Sequence, residues 1–181
     1  MNKSILFKLT TAAALSLGVV LPASAVTYMF SADLSGATEA PPNSSPGFGT
    51  ALVTFDDAAL TVSVLELWGN LTGPVTANHI HCCTATPGTG TAPVTLGFTG
   101  VPAVNTGFYS NTFSLAAGAF STLLVGTQAG SSYVNIHTAN NPGGEIRGFL
   151  LASAVPEPAT FGLMALGLAL VGGLARRRKA A

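Results

Sequence analysis

Apolar and polar residues alternate along most of the chain, beginning with "TYMFSADLS", where Tyr28, Phe30, Ala32 and Leu34 interleave with Thr27, Met29, Ser31 and Asp33. Side chains on a strand point alternately to its two faces, so a period of two marks a strand with one face buried. In "GTALVTFD" Ala51, Val53 and Phe55 repeat the pattern against Thr50, Leu52 and Thr54. Further β-rich runs are "LTVSVLELWG", "TANHIHCC", "APVTLGF", "GFYSNTFSL", "SSYVNIHTA" and "EIRGFLLAS", separated by Gly, Pro and Asn. Short strands at this density predict an all-β domain, an antiparallel sandwich or barrel with Greek-key links, of which we take the sandwich as the expectation. Two segments depart from the pattern. "AFSTLLVG", residues 119 to 126, suits a short helix or turn bounded by Gly118 and Gly126, and the Pro- and Gly-rich residues 36 to 49 suit a loop.

Both ends of the chain read differently from this middle. Lys3 and Lys8, the apolar run Leu9 to Leu21 and the small residues Ala23-Ser24-Ala25 form an export signal over residues 1–25, so signal peptidase is an expected partner and the mature chain starts near Val26. At the other end Ala159 to Ala175 carries no charge and precedes Arg176, Arg177, Arg178 and Lys179. As a helix this stretch extends ~25 Å, slightly less than the ~30 Å hydrocarbon core, which makes a short membrane anchor. Basic residues stay on the cytoplasmic side, so the tail lies inside and the β-domain outside. The expected division is therefore 1–25 signal peptide, 26–154 β-domain and 155–181 sorting and anchoring segment.

Composition sharpens this picture. The formal net charge of zero conceals segregation, because between Val26 and Val155 six acids, Asp33, Glu39, Asp56, Asp57, Glu66 and Glu145, face the single base Arg147, a net charge of −5. Nucleic acid is excluded as a partner, since neutralising phosphates takes clustered Lys and Arg. In an oxidising envelope a cysteine pair usually forms a disulfide, but Cys82 and Cys83 are adjacent. Across a trans peptide their Cα atoms stand ~3.8 Å apart, below the usual ~4.4 to 6.8 Å, and on a strand their side chains diverge. A vicinal bridge, two free thiols and a mixed disulfide all stay open.

The chemistry-bearing residues cluster in "NHIHCC" and "VNIHT". On a strand His79, His81 and Cys83 share one face, and Asn135 and His137 share another. Asn141-Pro142-Gly143-Gly144 has the Pro-Gly order of a type II turn and should fold "YVNIHT" back onto "EIRGFLL", bringing His137 near Glu145 and Arg147. Two readings of the histidines follow. In the first, which we take as the expectation, they and Asn135 hydrogen-bond across neighbouring strands and the domain holds no cofactor. In the alternative, His79, His81 and His137 bind one copper or zinc ion, in a metal-binding or redox protein. Glu145 and Arg147 read as an ion pair tying down the last strand. Trp68 and the scattered Phe and Tyr read as core, and no Gly-x-Ser-x-Gly elbow occurs, so no catalytic residue is assigned and the protein reads as a non-enzyme.

Two family resemblances rest on quoted residues. Pro156-Glu157-Pro158, the apolar stretch after it and the arginine cluster together resemble the PEP-CTERM sorting signal. That resemblance implies recognition by an exosortase, a transient membrane anchor, and a final place at the cell surface or in the exopolysaccharide matrix of a Gram-negative bacterium. "FSADLSGATEAPP", "TANHIH" and "YVNIHTANNPGGEIRGFL" resemble the CHRD domain, in the family's order. It implies an immunoglobulin-like or superoxide-dismutase-like sandwich of extracellular proteins without an established activity. The His-x-His strand is similar to that of copper/zinc superoxide dismutase, but a binuclear site of that kind needs about six histidines and the chain has 3.

Overall fold

The computed structural model describes residues 26–153; the export signal and the sorting segment lie outside them. Nine strands form within this range: β1 (Thr27–Ser35), β2 (Phe48–Asp56), β3 (Thr61–Gly69), β4 (Val75–His81), β5 (Val94–Gly97), β6 (Gly107–Ser114), β7 (Tyr133–Thr138), β8 (Ile146–Phe149) and β9 (Leu151–Ala152). One α-helix, α1 (Ala117–Gln128), joins β6 to β7, and a single 3-10 turn, Gly36–Thr38, follows β1. The eight predicted strand segments all form strands, and the last is split at Leu150, whose side chain turns into the core.

Hydrogen bonding runs in the order β5-β4-β7-β8-β1-β2-β3-β6, with β9 extending along β1. Every pairing is antiparallel, and β8 meets β1 through the single pair Ser35 and Arg147. At that narrow junction the sheet folds over on itself, so β5-β4-β7-β8 lies against β1-β2-β3-β6. The chain crosses between layers from β3 to β4, back from β5 to β6 and again from β6 to β7, while β3 pairs β6 and β4 pairs β7. This interlocking is the Greek-key link of a sandwich.

The alternation explains the core. Phe30, Ala32 and Leu34 of β1 and Ala51, Val53 and Phe55 of β2 point inward, together with Val62, Val64 and Trp68 of β3. Across the gap they meet Ile80, Val134, Ile136 and Ile146. Burial of this apolar surface, at roughly 25 cal/mol per Å², is the main force holding the layers together. Glu66 enters the same interior, where the amide Nδ2 of Asn78 on β4 donates to its carboxyl, linking the layers through a polar contact in the middle of the core.

Helix α1 closes one end of the sandwich. Phe120 packs edge-on against Phe55 at 5.7 Å, and Leu123 is fully buried. The helix runs through both Gly118 and Gly126 instead of being bounded by them. Gly126 is there for a packing reason: a Cβ at this position would collide with the sulfurs of both Cys82 and Cys83. Those cysteines form a vicinal disulfide, and the peptide joining them is cis. The expectation that Cys83 shares the histidine face is therefore corrected, since β4 ends at His81 and both sulfurs turn to α1. No helix among the described residues is long and apolar enough to cross a membrane, and the stretch Ala159 to Ala175 lies outside them.

Trp68 is core as expected, but Phe48 and Phe108 are not. They stand 62% and 68% exposed across a groove of about 380 Å³ that also takes in Leu67. Their strand positions face outward, which the period of two permits but cannot reveal without knowing which face is covered.

Candidate metal centre

Strands β4 and β7 lie side by side with Ala77 opposite His137, His79 opposite Asn135 and His81 opposite Tyr133. This register places His79, His81 and His137 on the sheet face that looks away from the apolar core, because Asn78, Ile80, Val134 and Ile136 between them point inward. The three rings converge, with centroids 5.5 Å apart for His79 and His81 and 5.0 Å for His79 and His137. One ring nitrogen from each histidine lies within 4.8 Å of the other two. No Cys, Asp or Glu joins this group among the described residues.

The hydrogen bonds settle which nitrogens are bare. His81 Nδ1 is 2.8 Å from the carbonyl of Ala92, and His137 Nδ1 is 3.0 Å from that of Pro142. A carbonyl only accepts, so each Nδ1 carries the proton and each Nε2 presents a lone pair. Both Nε2 atoms, and Nδ1 of His79, are buried and have no partner. Burial holds all three imidazoles below their usual pKa, and neighbouring histidine charges add to the effect at His79, which is lowered to about 4. The neutral form is the one that ligates a metal. The expected cross-strand hydrogen bonding of these histidines is thus corrected: their bonds go to loop carbonyls, because imidazoles aimed at one another with bare nitrogens have no proton to share.

The surroundings hold the rings in place. Tyr133 stacks on His81 with ring centroids 4.7 Å apart and nearly parallel planes, while its hydroxyl accepts from the N–H of Ala92. The Arg147 guanidinium covers the other side of Tyr133 at 4.7 Å. The same residue that orients His81 is therefore clamped to β8.

The expected ion pair between Glu145 and Arg147 does not form. Arg147 pairs with Glu39 at 3.8 Å and also donates to the carbonyls of Thr38 and Gly90. Burial raises the Glu39 carboxyl to about 7 despite the opposing pull of Arg147. Glu145 is instead saturated by hydroxyl and amide donors from Ser45, Thr72 and Thr138. Burial pushes its pKa up, but these donors together outweigh it and hold the carboxyl below the usual value. Pairing in β7–β8 explains the exchange, since Arg147 lies opposite Asn135 and points over the outer face where the loop after β1 passes. The β7–β8 turn is also not the expected type II. The turn sits where expected, closed by the N–H of Gly144 on the carbonyl of Asn141, but Gly143 at its third position does not take the positive φ of type II; the positive φ, +130, falls on Gly144.

A family model described as the CHRD domain matches residues 30–150, which spans β1 to β8 and all three histidines. The chain belongs to the CHRD domain family. A second model, the PEP-CTERM protein-sorting motif, matches residues 154–179 and so contains Pro156, Glu157, Pro158 and the basic cluster. No curated protein and no solved structure matches the chain. This CHRD domain is accordingly the exported part of a protein sorted by exosortase to the surface of a Gram-negative bacterium, through a transient membrane-anchored intermediate.

Of the residues singled out from sequence, His79, His81 and His137 come together, and Cys83 leaves the group. Tyr133, Glu39 and the carbonyls of Ala92 and Pro142 are supporting parts not among them. Tyr133 shares the face of Asn135 and His137 by the period of two, whereas Glu39 and the Ala92 carbonyl reach the site from distant loops and leave no local signal.

Proposed function

We propose that the exported CHRD domain is a noncatalytic module of the cell surface or extracellular matrix that holds one copper or zinc ion through His79, His81 and His137. The observation that supports this reading is the convergence of three buried imidazole nitrogens without a partner. Leaving a buried acceptor unpaired costs about 1–3 kcal/mol, and here three of them share one small volume. A cation satisfies all three at once. Backbone carbonyls behind His81 and His137 supply the outer support that fixes tautomer and ring orientation in metal sites. Imidazole suits both copper and zinc.

Elemental analysis of the exported protein, followed by calorimetric titration with copper and zinc after chelator treatment, tests the proposal. One equivalent of metal is expected, lost in His79→Ala, His81→Ala and His137→Ala and retained in Cys82→Ser. A wild-type protein that takes up no stoichiometric metal would refute it.

A further inference from the structure

The outer face of β2, β3 and β6 carries apolar surface that the fold itself leaves bare. Register sets Thr50, Leu67 and Phe108 in one row across the three strands and Leu52, Leu65 and Ser110 in the next, all pointing away from the core. Phe48 ends the face, the edge of its ring lying over Gly69. Phe48, Leu65, Leu67 and Phe108 are exposed, and together they leave roughly 400 Å² of apolar surface open, the size at which a patch marks an interaction site.

Shape points to what covers it. Phe48 on β2 and Phe108 on β6 stand two strands, about 10 Å, apart, with Leu67 between them. The groove they border has a volume of about 380 Å³. A cavity of about 150 Å³ already holds a benzene ring, so the groove admits a phenyl group, and Phe108 stands as a ridge on its rim. A ridge and a matching groove on one patch suit a two-fold pair, in which the patch meets its own copy.

Charge favours the same occupant. The exported domain has a net charge of −5, so two copies repel wherever acid meets acid. Glu66 and Glu145 are buried and Glu39 is paired with Arg147, which leaves Asp33, Asp56 and Asp57 as the source of repulsion. None of these lies in the two rows, and every outward residue of β3 and β6 is uncharged. A second copy therefore meets least repulsion on this face, and a basic partner gains nothing there.

The chain's own tail falls short of the groove. The N–H of Ser153 donates to the carbonyl of Met29, so the sorting segment departs from one end of β1, while Phe48 pairs with Ser35 at the other, about 20 Å away. Residues 154–158, up to the end of the Pro-Glu-Pro motif, extend at most about 18 Å.

We infer that this face pairs with the same face of a second copy about a two-fold axis, each Phe108 entering the other's groove over Leu67. With its Thr and Ser rim the face offers roughly 600 Å² per copy, the low end of a specific interface, so the dimer is weak and is populated where many copies share one cell surface.

Sedimentation equilibrium of the exported protein, from micromolar to millimolar concentration, tests this. A monomer–dimer equilibrium is expected, and added salt should tighten it by screening the acids. Phe108→Asp should weaken the dimer at least about 30-fold, with urea denaturation close to wild type. Phe108→Thr, which keeps a strand-forming residue, repeats the test without adding a charge. A wild type that stays monomeric throughout overturns the pairing; an apolar dye bound by that monomer and lost in Phe108→Asp would assign the groove to a small apolar ligand instead. A dimer of unchanged strength in both variants overturns the choice of face, and a dimer that salt dissociates overturns the uncharged interface.

Discussion

Replacing Glu66 with glutamine should abolish much of the domain's pH-dependent stability between pH 5 and 9. Glu66 is fully buried between the two layers, and Asn78 donates to it. Its second oxygen and the side-chain oxygen of Asn78 have no partner. Burial raises the carboxyl from the ordinary 4.5 to about 8, with the Asn78 bond opposing the rise. The folded protein therefore prefers the protonated acid. Its stabilising contribution is complete below pH 4.5, where the unfolded chain is protonated too, and is lost as pH climbs through the folded value near 8. At about 1.4 kcal/mol per pH unit of difference, the loss across this window reaches several kcal/mol, an upper limit because the interior relaxes around a charge. The glutamine of Glu66→Gln cannot ionise. Its amide both accepts from and donates to the Asn78 amide, so neither residue keeps an orphan oxygen. Urea denaturation of the two proteins from pH 5 to pH 9 reads the effect. The difference between their curves cancels the histidines and the other acids, and should grow with pH in favour of the variant. Parallel curves would show that Glu66 does not bind its proton more tightly in the fold.

Other perturbations follow from the same geometry. Gly144→Val should lose at least ~1–3 kcal/mol in denaturant melts, since it places a branched residue at φ +130 with its Cβ against Glu39 and Asn135. Gly143→Val, whose Cβ meets open space, should stay within about 0.5 kcal/mol of wild type. Arg147→Ala unpairs the carbonyls of Thr38 and Gly90 and takes the cation from Glu39; a loss of about 1–3 kcal/mol is expected at about pH 6, where Glu39 holds its proton, and a larger one at about pH 9, and Glu39→Gln in the same background should remove the added loss at high pH. Mass spectrometry of native extracellular protein should find a start near Val26 and no peptide containing Arg176 to Lys179; recovery of that tail would refute processing at the sorting motif.

The strands are legible because their signal is local: Phe30, Ala32 and Leu34 declare a buried face within a single segment. The sorting motif is linear for the same reason, with Pro156-Glu157-Pro158 and the arginines in one continuous stretch. Spacing alone likewise places His79 and His81 on one face. That His137 completes their group depends on β7 lying beside β4 in a register that sets His79 opposite Asn135, and pairing partners leave no mark on either strand. Glu145 and Arg147 show the limit most plainly. Two residues apart, they look like partners, yet a strand's alternation does not tell which distant loop covers each face, and Arg147 finds Glu39 while Glu145 finds Ser45, Thr72 and Thr138. Sequence by itself determined the elements, the faces and the export route, all set by short-range periodicity and composition. Tertiary structure alone decided the partners, because antiparallel pairing and loop closure bring together groups whose separation along the chain carries no trace of their contact.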